Sequence, residues 1–212
     1  MRQQPQQIFV ALDTEGLGED KNKYPTVAVA LVVFNRQGQI LRQFQTYMPY
    51  EISEATIEPR CYREFWNNPQ KCSPKVFANL VQQCASSKHR NMADAWRAVA
   101  DEIDRIYEIY DTVTWVTDCA DYDVALVSHY LGMYTDRVGL RYDVLTGTRH
   151  RVVDCSSGMY VIRKVFPMAY VKYQAAVEAA GAPSHTHDCL DDALRMGIKY
   201  IKFLDLVEEL QH

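Results

Sequence analysis

The chain has 212 residues, enough for one sizeable α/β core and short for two independent domains. Hydrophobic residues make up 48% and charged residues 24%, an ordinary globular balance. The formal net charge of −4 argues against a protein that coats nucleic acid through global charge, while leaving room for a local basic surface.

The opening MRQQPQQ is polar, and the apolar run after it stops at Asp13, so nothing resembles a signal peptide. No stretch approaches the length of a membrane span. A soluble, cytoplasmic protein with no membrane partner is expected. Cys61, Cys72, Cys84, Cys119, Cys155 and Cys189 form no CxxC pair and no Cys/His ligand spacing. They read as free buried thiols in a reducing compartment rather than as a zinc site.

In chain order, Ile8 to Leu12 is an apolar run ended by an acidic pair, the pattern of a central strand buried on both faces. Thr26 to Phe34 is a second strand; the turn Asn35 to Gly38 leads into a third, Gln39 to Met48, and the two form a hairpin. Prolines 59, 69 and 74 punctuate residues 51 to 90, with helical pieces around Tyr62 to Asn67 and Pro74 to Cys84. A helix follows from Met92 to Tyr110, capped by Asn91, with Trp96, Val99, Ile103, Ile106 and Tyr110 at three- and four-residue steps. Val113 to Thr117 is a strand that feeds a helix from about Cys119 to Leu131, stopped by Gly132. A long loop covers 133 to 148, and Arg151 to Asp154 is a short strand. Helices follow at Ser157 to Val165 and Met168 to Ala180. The last helix starts near Asp188, with Leu190, Leu194, Ile198, Ile201 and Leu204 as its apolar stripe and Gly197 allowing a close approach. No repeat or linker appears, so residues 1–212 read as one domain, a mixed sheet covered on both faces.

The acidic residues carry the chemistry. Asp13 and Glu15 are two apart at a strand end and project from one face, with Thr14 directed the other way. Carboxylates held that close repel unless a cation lies between them; the alternative is a pair of solvated acids before a glycine loop. Asp192 lies one turn into the last helix, off the leucine stripe, and His187 sits in the preceding loop. A histidine with pKa near ~6.5 can take a proton from a bound water. Asp188 and Asp191 fit as first-turn acids that complement the helix dipole. In WVTDCADYDVALV, Asp123 is preferred as the site residue over Asp118, which with Asp121 fits the cap and first turn of a helix.

Taken together, LDTEG, Tyr122-Asp123 and HDCLDDA resemble the three motifs of the DEDDh class of 3′→5′ exonucleases, in the family's order and across nearly the whole chain. Asp118 and Cys119 stand where that family often has a histidine-asparagine pair. The resemblance implies a ribonuclease H-like fold, a mixed five-stranded sheet flanked by helices on both faces. It implies that Asp13, Glu15, Asp123 and Asp192 hold two divalent cations, Mg²⁺ or Mn²⁺, with His187 as general base. The expected product is a nucleoside 5′-monophosphate released from a 3′ end.

Substrate contacts follow with less support from the residues themselves. Gly16 and Leu17 stand where the family's backbone and an apolar side chain meet the terminal nucleotide; Leu17 is either a wedge under the last base or a surface leucine. Trp66, in YREFWNNPQ, resembles a segment of phage-type DNA exonucleases and either stacks a base or fills the core. Arg141, Arg149, His150, Arg151, Arg163 and Lys164 form a candidate phosphate track or a merely solvated set. Asp154 reads as structural or a minor contact, and His185 as a bystander in its loop. The expectation is an exonuclease on single-stranded 3′ ends, DNA slightly ahead of RNA. The alternatives are an RNA-trimming enzyme and a catalytically idle nucleic-acid- or partner-binding module.

Overall fold

The computed structural model describes residues 7–137, 140 and 150–211. Its centre is a five-stranded sheet in the order β3-β2-β1-β4-β5. The strands are β1 (Ile8–Gly16), β2 (Thr26–Asn35), β3 (Ile40–Tyr47), β4 (Val113–Thr117) and β5 (Arg151–Asp154). β1 pairs antiparallel with β2 and parallel with β4, so the mixed sheet changes character at β1. The β2–β3 hairpin is antiparallel and β4–β5 parallel.

Period-two alternation decides what each residue of β1 meets. Phe9 and Ala11 pack with Ala193, Met196 and Ile201 of α7 (Cys189–Glu209). Ile8, Val10 and Leu12 pack with Trp96, Val99 and Ile103 of α3 (Met92–Ile109) and with Leu126 and Val127 of α4 (Asp123–Tyr134). Helices therefore cover both faces, as expected. The same alternation sends Asp13 and Glu15 towards α7 and Thr14 towards α4. β2, buried at every position, accounts for the unbroken apolar run TVAVALVVF.

The remaining helices are α1 (Pro59–Cys61), which runs into a π-helical turn at Tyr62–Trp66, and α2 (Pro74–Ala85). Helices α5 (Cys155–Val165) and α6 (Pro167–Ala179) form a hairpin whose Ile162, Tyr173 and Val177 pack on Leu206 of α7. Asn91 caps α3 as expected, its side chain accepting from the Asp94 amide at 2.9 Å. Among the described residues, no helix is long and apolar enough to cross a membrane.

Four expectations need correction. β1 does not stop at Leu12; its pairing continues through Asp13↔Ala30 and Glu15↔Ala28, so both acids stand on the strand itself. α4 begins at Asp123, not Cys119, and runs through Gly132 to Tyr134. Asp118 is thus no cap; a turn closed by Tyr122 and Asp123 amides on the Cys119 carbonyl precedes the helix. On α7 the sheet-facing surface is Cys189, Ala193, Met196, Gly197 and Tyr200, with Leu190, Leu194 and Leu204 at its margins. A Cβ on Gly197 would lie 1.9 Å from the Phe34 ring, so the helix approaches β2 through its small residues. Finally, Cys119 is exposed, unlike the buried Cys72, Cys84, Cys155 and Cys189, although all six thiols are free.

Candidate active site

The carboxyl ends of β1 and β4 open into a cleft of about 520 Å³. This is where ligands gather in open α/β sheets, at the strand whose two neighbours run in different directions. Its lining brings together Asp13, Glu15, Asp123, His187 and Asp192, five residues drawn from 180 positions of sequence.

Each carboxylate is positioned by a different device. Asp13 and Glu15 share the α7 face of β1, and their oxygens lie within 4.8 Å of each other and of an Asp192 oxygen. Asp192 sits on the inner side of α7 and accepts the amides of Thr186 at 3.1 Å and His187 at 2.7 Å. Asp188 provides the helix cap, accepting from the Leu190 and Asp191 amides. Asp123 arrives from the opposite face of the sheet. Thr14 donates to its Oδ1 at 2.8 Å, and Thr117, at the end of β4, donates to its Oδ2. The residue between the two β1 acids therefore holds the third.

The electrostatics are those of an uncompensated anionic cluster. Burial, then Glu15, Asp123 and Asp192, push the Asp13 carboxyl well above the usual range. Burial, then Asp192 and Asp123, do the same to Glu15. Burial lifts Asp123 to about 6 against the opposing pull of the two threonine hydroxyls. Among the described residues, no lysine or arginine forms a salt bridge with any of the four. Asp118, by contrast, pairs with Lys199 at 3.4 Å. An all-oxygen donor set of buried and half-buried acids that repel one another suits hard divalent cations such as Mg²⁺ or Mn²⁺.

His187 takes a left-handed backbone, φ 63°, which non-glycine residues seldom adopt. Its ring is packed between Phe65, edge-on at 4.3 Å, and His185, at 4.0 Å between centroids. Burial first, then His185, lowers its pKa to about 4, with Asp192 pulling the other way. His187 is therefore neutral near pH 7 and able to accept a proton, and its ring touches both Phe65 and His185.

The sequence matches no protein-family model and no curated protein. Solved structures do match over almost the entire chain. The nuclease domain of 3′hExo, a DEDDh family member, bound to rAMP superposes with a TM-score of 0.59 at 14% identity, covering 94% of this chain and 92% of that one. The chain shares the fold of this nuclease domain. A 3′-exonuclease structure concerned with 3′-end specific recognition of histone mRNA stem-loop gives 0.56 at 13% identity, covering 96% of this chain and 84% of that one. E. coli exonuclease I with an oligonucleotide gives 0.59 at 12% identity; 97% of this chain matches 43% of that longer one.

On this scaffold the other sequence candidates separate. Gly16 lines the cleft, and a Cβ there would meet the Tyr122 hydroxyl at 2.3 Å. Leu17 is corrected: it is fully buried in the core, neither a wedge nor a surface residue. Trp66 fills the core at 2% exposure, and its Nε1 donates to the Gly16 carbonyl at 3.3 Å, which leaves no face for a base. The described members of the candidate phosphate track lie away from the cleft. Arg151 opens β5 beside Thr114, at the end of the sheet away from the cleft. His150 is buried and stacked on Tyr107 at 3.9 Å. Arg163 and Lys164 lie over the rings of Tyr170 on α6 and Tyr160 on α5, respectively. Arg141 and Arg149 lie outside the described residues. Asp154 is structural: it caps α5 through the Ser157 amide and holds the Ala120 amide at 3.1 Å, steadying the turn before Asp123.

Sequence reasoning missed two neighbours of His187. Phe65 lines the cleft, but its place beside Trp66 drew attention to the tryptophan. His185 is no bystander, since its Nδ1 lies 3.0 Å from Asp192 Oδ1. The signal available was the HxH spacing two residues ahead of the motif histidine. Arg60 also lines the cleft, engaged with Glu19 and at 3.9 Å from Glu64.

Proposed function

We propose that the chain is a metal-dependent 3′→5′ exonuclease that releases nucleoside 5′-monophosphates from single-stranded 3′ ends. One observation carries the reading: the buried Glu15, Asp123 and Asp192 and the half-buried Asp13, without a lysine or arginine salt bridge among the described residues, converge beside a neutral histidine in an open cleft. The fold supports it, as does the rAMP bound to the nuclease domain of 3′hExo.

Asp13, Glu15, Asp123 and Asp192 would hold two divalent cations, Mg²⁺ or Mn²⁺. When bound, such ions lower the pKa of water and neutralise charge on a phosphate in flight. The residues of this chain do the rest. Thr14 and Thr117 hold Asp123, and the backbone at 186–187 holds Asp192, so these two carboxylates are oriented before loading. His187 accepts a proton from the attacking water at a ring nitrogen. The water oxygen bonds to phosphorus, the P–O3′ bond breaks, the 3′-oxygen of the shortened strand departs and takes a proton from solvent, and the phosphate stays on the 5′ carbon of the released nucleotide. The length between the motifs and the REFWNNPQ segment favour DNA slightly; Trp66 of that segment is buried and offers no face to a base, and the proposal covers DNA and RNA ends alike.

The test is purified protein with Mg²⁺ or Mn²⁺ on 5′-labelled single- and double-stranded DNA and RNA. A ladder that shortens from the 3′ end, lost in EDTA, is expected. Intact label on all four substrates, or cleavage that survives chelation, would overturn the reading. A catalytically idle module would bind these strands without shortening any.

A further inference from the structure

A second constellation shares one wall of the cleft. His185, His187 and Asp192 each present a ligand atom, and these atoms all lie within 4.8 Å of one another. His185 Nδ1 and Asp192 Oδ1 are 3.0 Å apart. Ligands about 2.0 Å from a tetrahedral ion stand roughly 3.3 Å from each other, so this edge needs little adjustment.

The donor set differs in kind from the neighbouring acids. Two imidazoles and one carboxylate suit Zn²⁺ and its neighbours in the transition series, whereas carboxylates alone suit Mg²⁺ and Mn²⁺. Three protein ligands also leave a fourth position for water. The backbone builds the arrangement. The left-handed turn at His187 brings its ring against that of His185. The amides of Thr186 and His187 tie the same loop to Asp192, so ligands and loop form one unit. The His185 side chain is 54% exposed, which leaves the approach open.

We propose that His185, His187 and Asp192 form a binding site for Zn²⁺ or a similar imidazole-preferring ion, and that filling it switches off the adjacent acid site. Asp192 and His187 belong to both groups, so an ion held here withdraws a carboxylate and the proton acceptor together. The inhibition rests on the exonuclease reading; the binding does not.

The test separates them. Metal-free wild type, Asp13→Asn, His185→Ala and His185→Asn are titrated with Zn²⁺ in competition with a chromophoric chelator. Far-UV circular dichroism checks that each variant is folded. Wild type and Asp13→Asn should each bind one Zn²⁺ with similar affinity. Both His185 variants should bind at least about tenfold more weakly, the scale on which even outer-shell partners of a metal act. Asparagine keeps a polar group near Asp192 and removes the imidazole, so its loss of Zn²⁺ identifies the ring as ligand. Undiminished Zn²⁺ binding by His185→Asn, or loss of binding in Asp13→Asn alone, would overturn the site. In a second arm, nucleotide release at fixed Mg²⁺ is followed as Zn²⁺ is added. Inhibition of wild type at about tenfold lower Zn²⁺ than His185→Asn is expected; equal inhibition would overturn the switch. If no nucleotide is released at all while Zn²⁺ binding follows the expected pattern, the exonuclease reading fails and the metal site stands.

Discussion

Two buried acidic centres lie against the same sheet and solve the same problem differently. Glu102, on α3, is 1% exposed, and two guanidinium groups answer its charge: Arg42 binds both its oxygens and Arg105 lies at 3.4 Å. Glu15, Asp123 and Asp192 are 6%, 5% and 4% exposed and have no such partner among the described residues. Removing a carboxylate from water costs free energy unless something compensates. At Glu102 the fold carries its own compensation. In the cleft the fold tolerates a repulsion that a proton or an arriving cation relieves, and this separates an acid kept for stability from acids kept for chemistry.

Asp13→Asn tests that division most severely. It should lower nucleotide release about 1,000-fold, the upper scale for deleting one preorganised electrostatic group. It should also raise the melting temperature of metal-free protein, because it removes one of the repelling charges. A variant that loses stability instead would place Asp13 in the same class as Glu102.

The pH dependence of metal-free protein comes next in size. Asp123 titrates at about 6 in the fold against an ordinary 3.8, so its protonated form is favoured by folding. Its stabilising contribution is complete below about pH 4 and is lost as pH rises through 6, a change of about 3 kcal/mol. His187 has the opposite sign: its pKa falls from 6.5 to about 4, so acidification through that window costs stability. The melting-temperature difference between Asp123→Asn and wild type isolates the carboxylate. It should widen between pH 4 and 6 without metal and flatten in saturating Mg²⁺. A flat difference without metal would show that Asp123 is already compensated.

Glu102→Gln should do the reverse of Asp13→Asn. Loss of the charge-assisted bonds from Arg42 and Arg105 should cost about 1–3 kcal/mol in denaturant unfolding and leave nucleotide release within about twofold.

How far each centre was legible in the sequence follows from the range of the forces involved. The β1 acids, the β2–β3 hairpin and α3 show as local patterns, because strand alternation and a helical stripe repeat within a few residues. Asp118 misled because its partner, Lys199, lies 81 residues away; only the folded chain shows that it is neutralised rather than capping a helix. α7 misled because its sheet-facing side is made of Cys189, Ala193 and Gly197, chosen for close approach, while larger leucines sit at the margin. His185 reads as an ordinary loop residue until the left-handed turn at His187 folds it back onto Asp192.

The smallest expected effect concerns two adjacent aromatic rings with opposite duties. Trp66 is buried and ties the Gly16 carbonyl; Phe65, half-buried, presses its edge on His187. Trp66→Phe should cost about 1 kcal/mol through the lost hydrogen bond and leave the titration of His187 untouched. Phe65→Ala admits water to the imidazole, so the His187 pKa in metal-free protein should climb from about 4 towards 6.5, read from its ring-proton NMR shift. Turnover should fall by about tenfold or less with little change in KM, since a ring free to rotate spends less time aimed at the water. Phe65 is thus a positioning residue. If the His187 pKa stays near 4 in Phe65→Ala, His185 rather than Phe65 keeps the imidazole neutral, and His185→Asn should then release it.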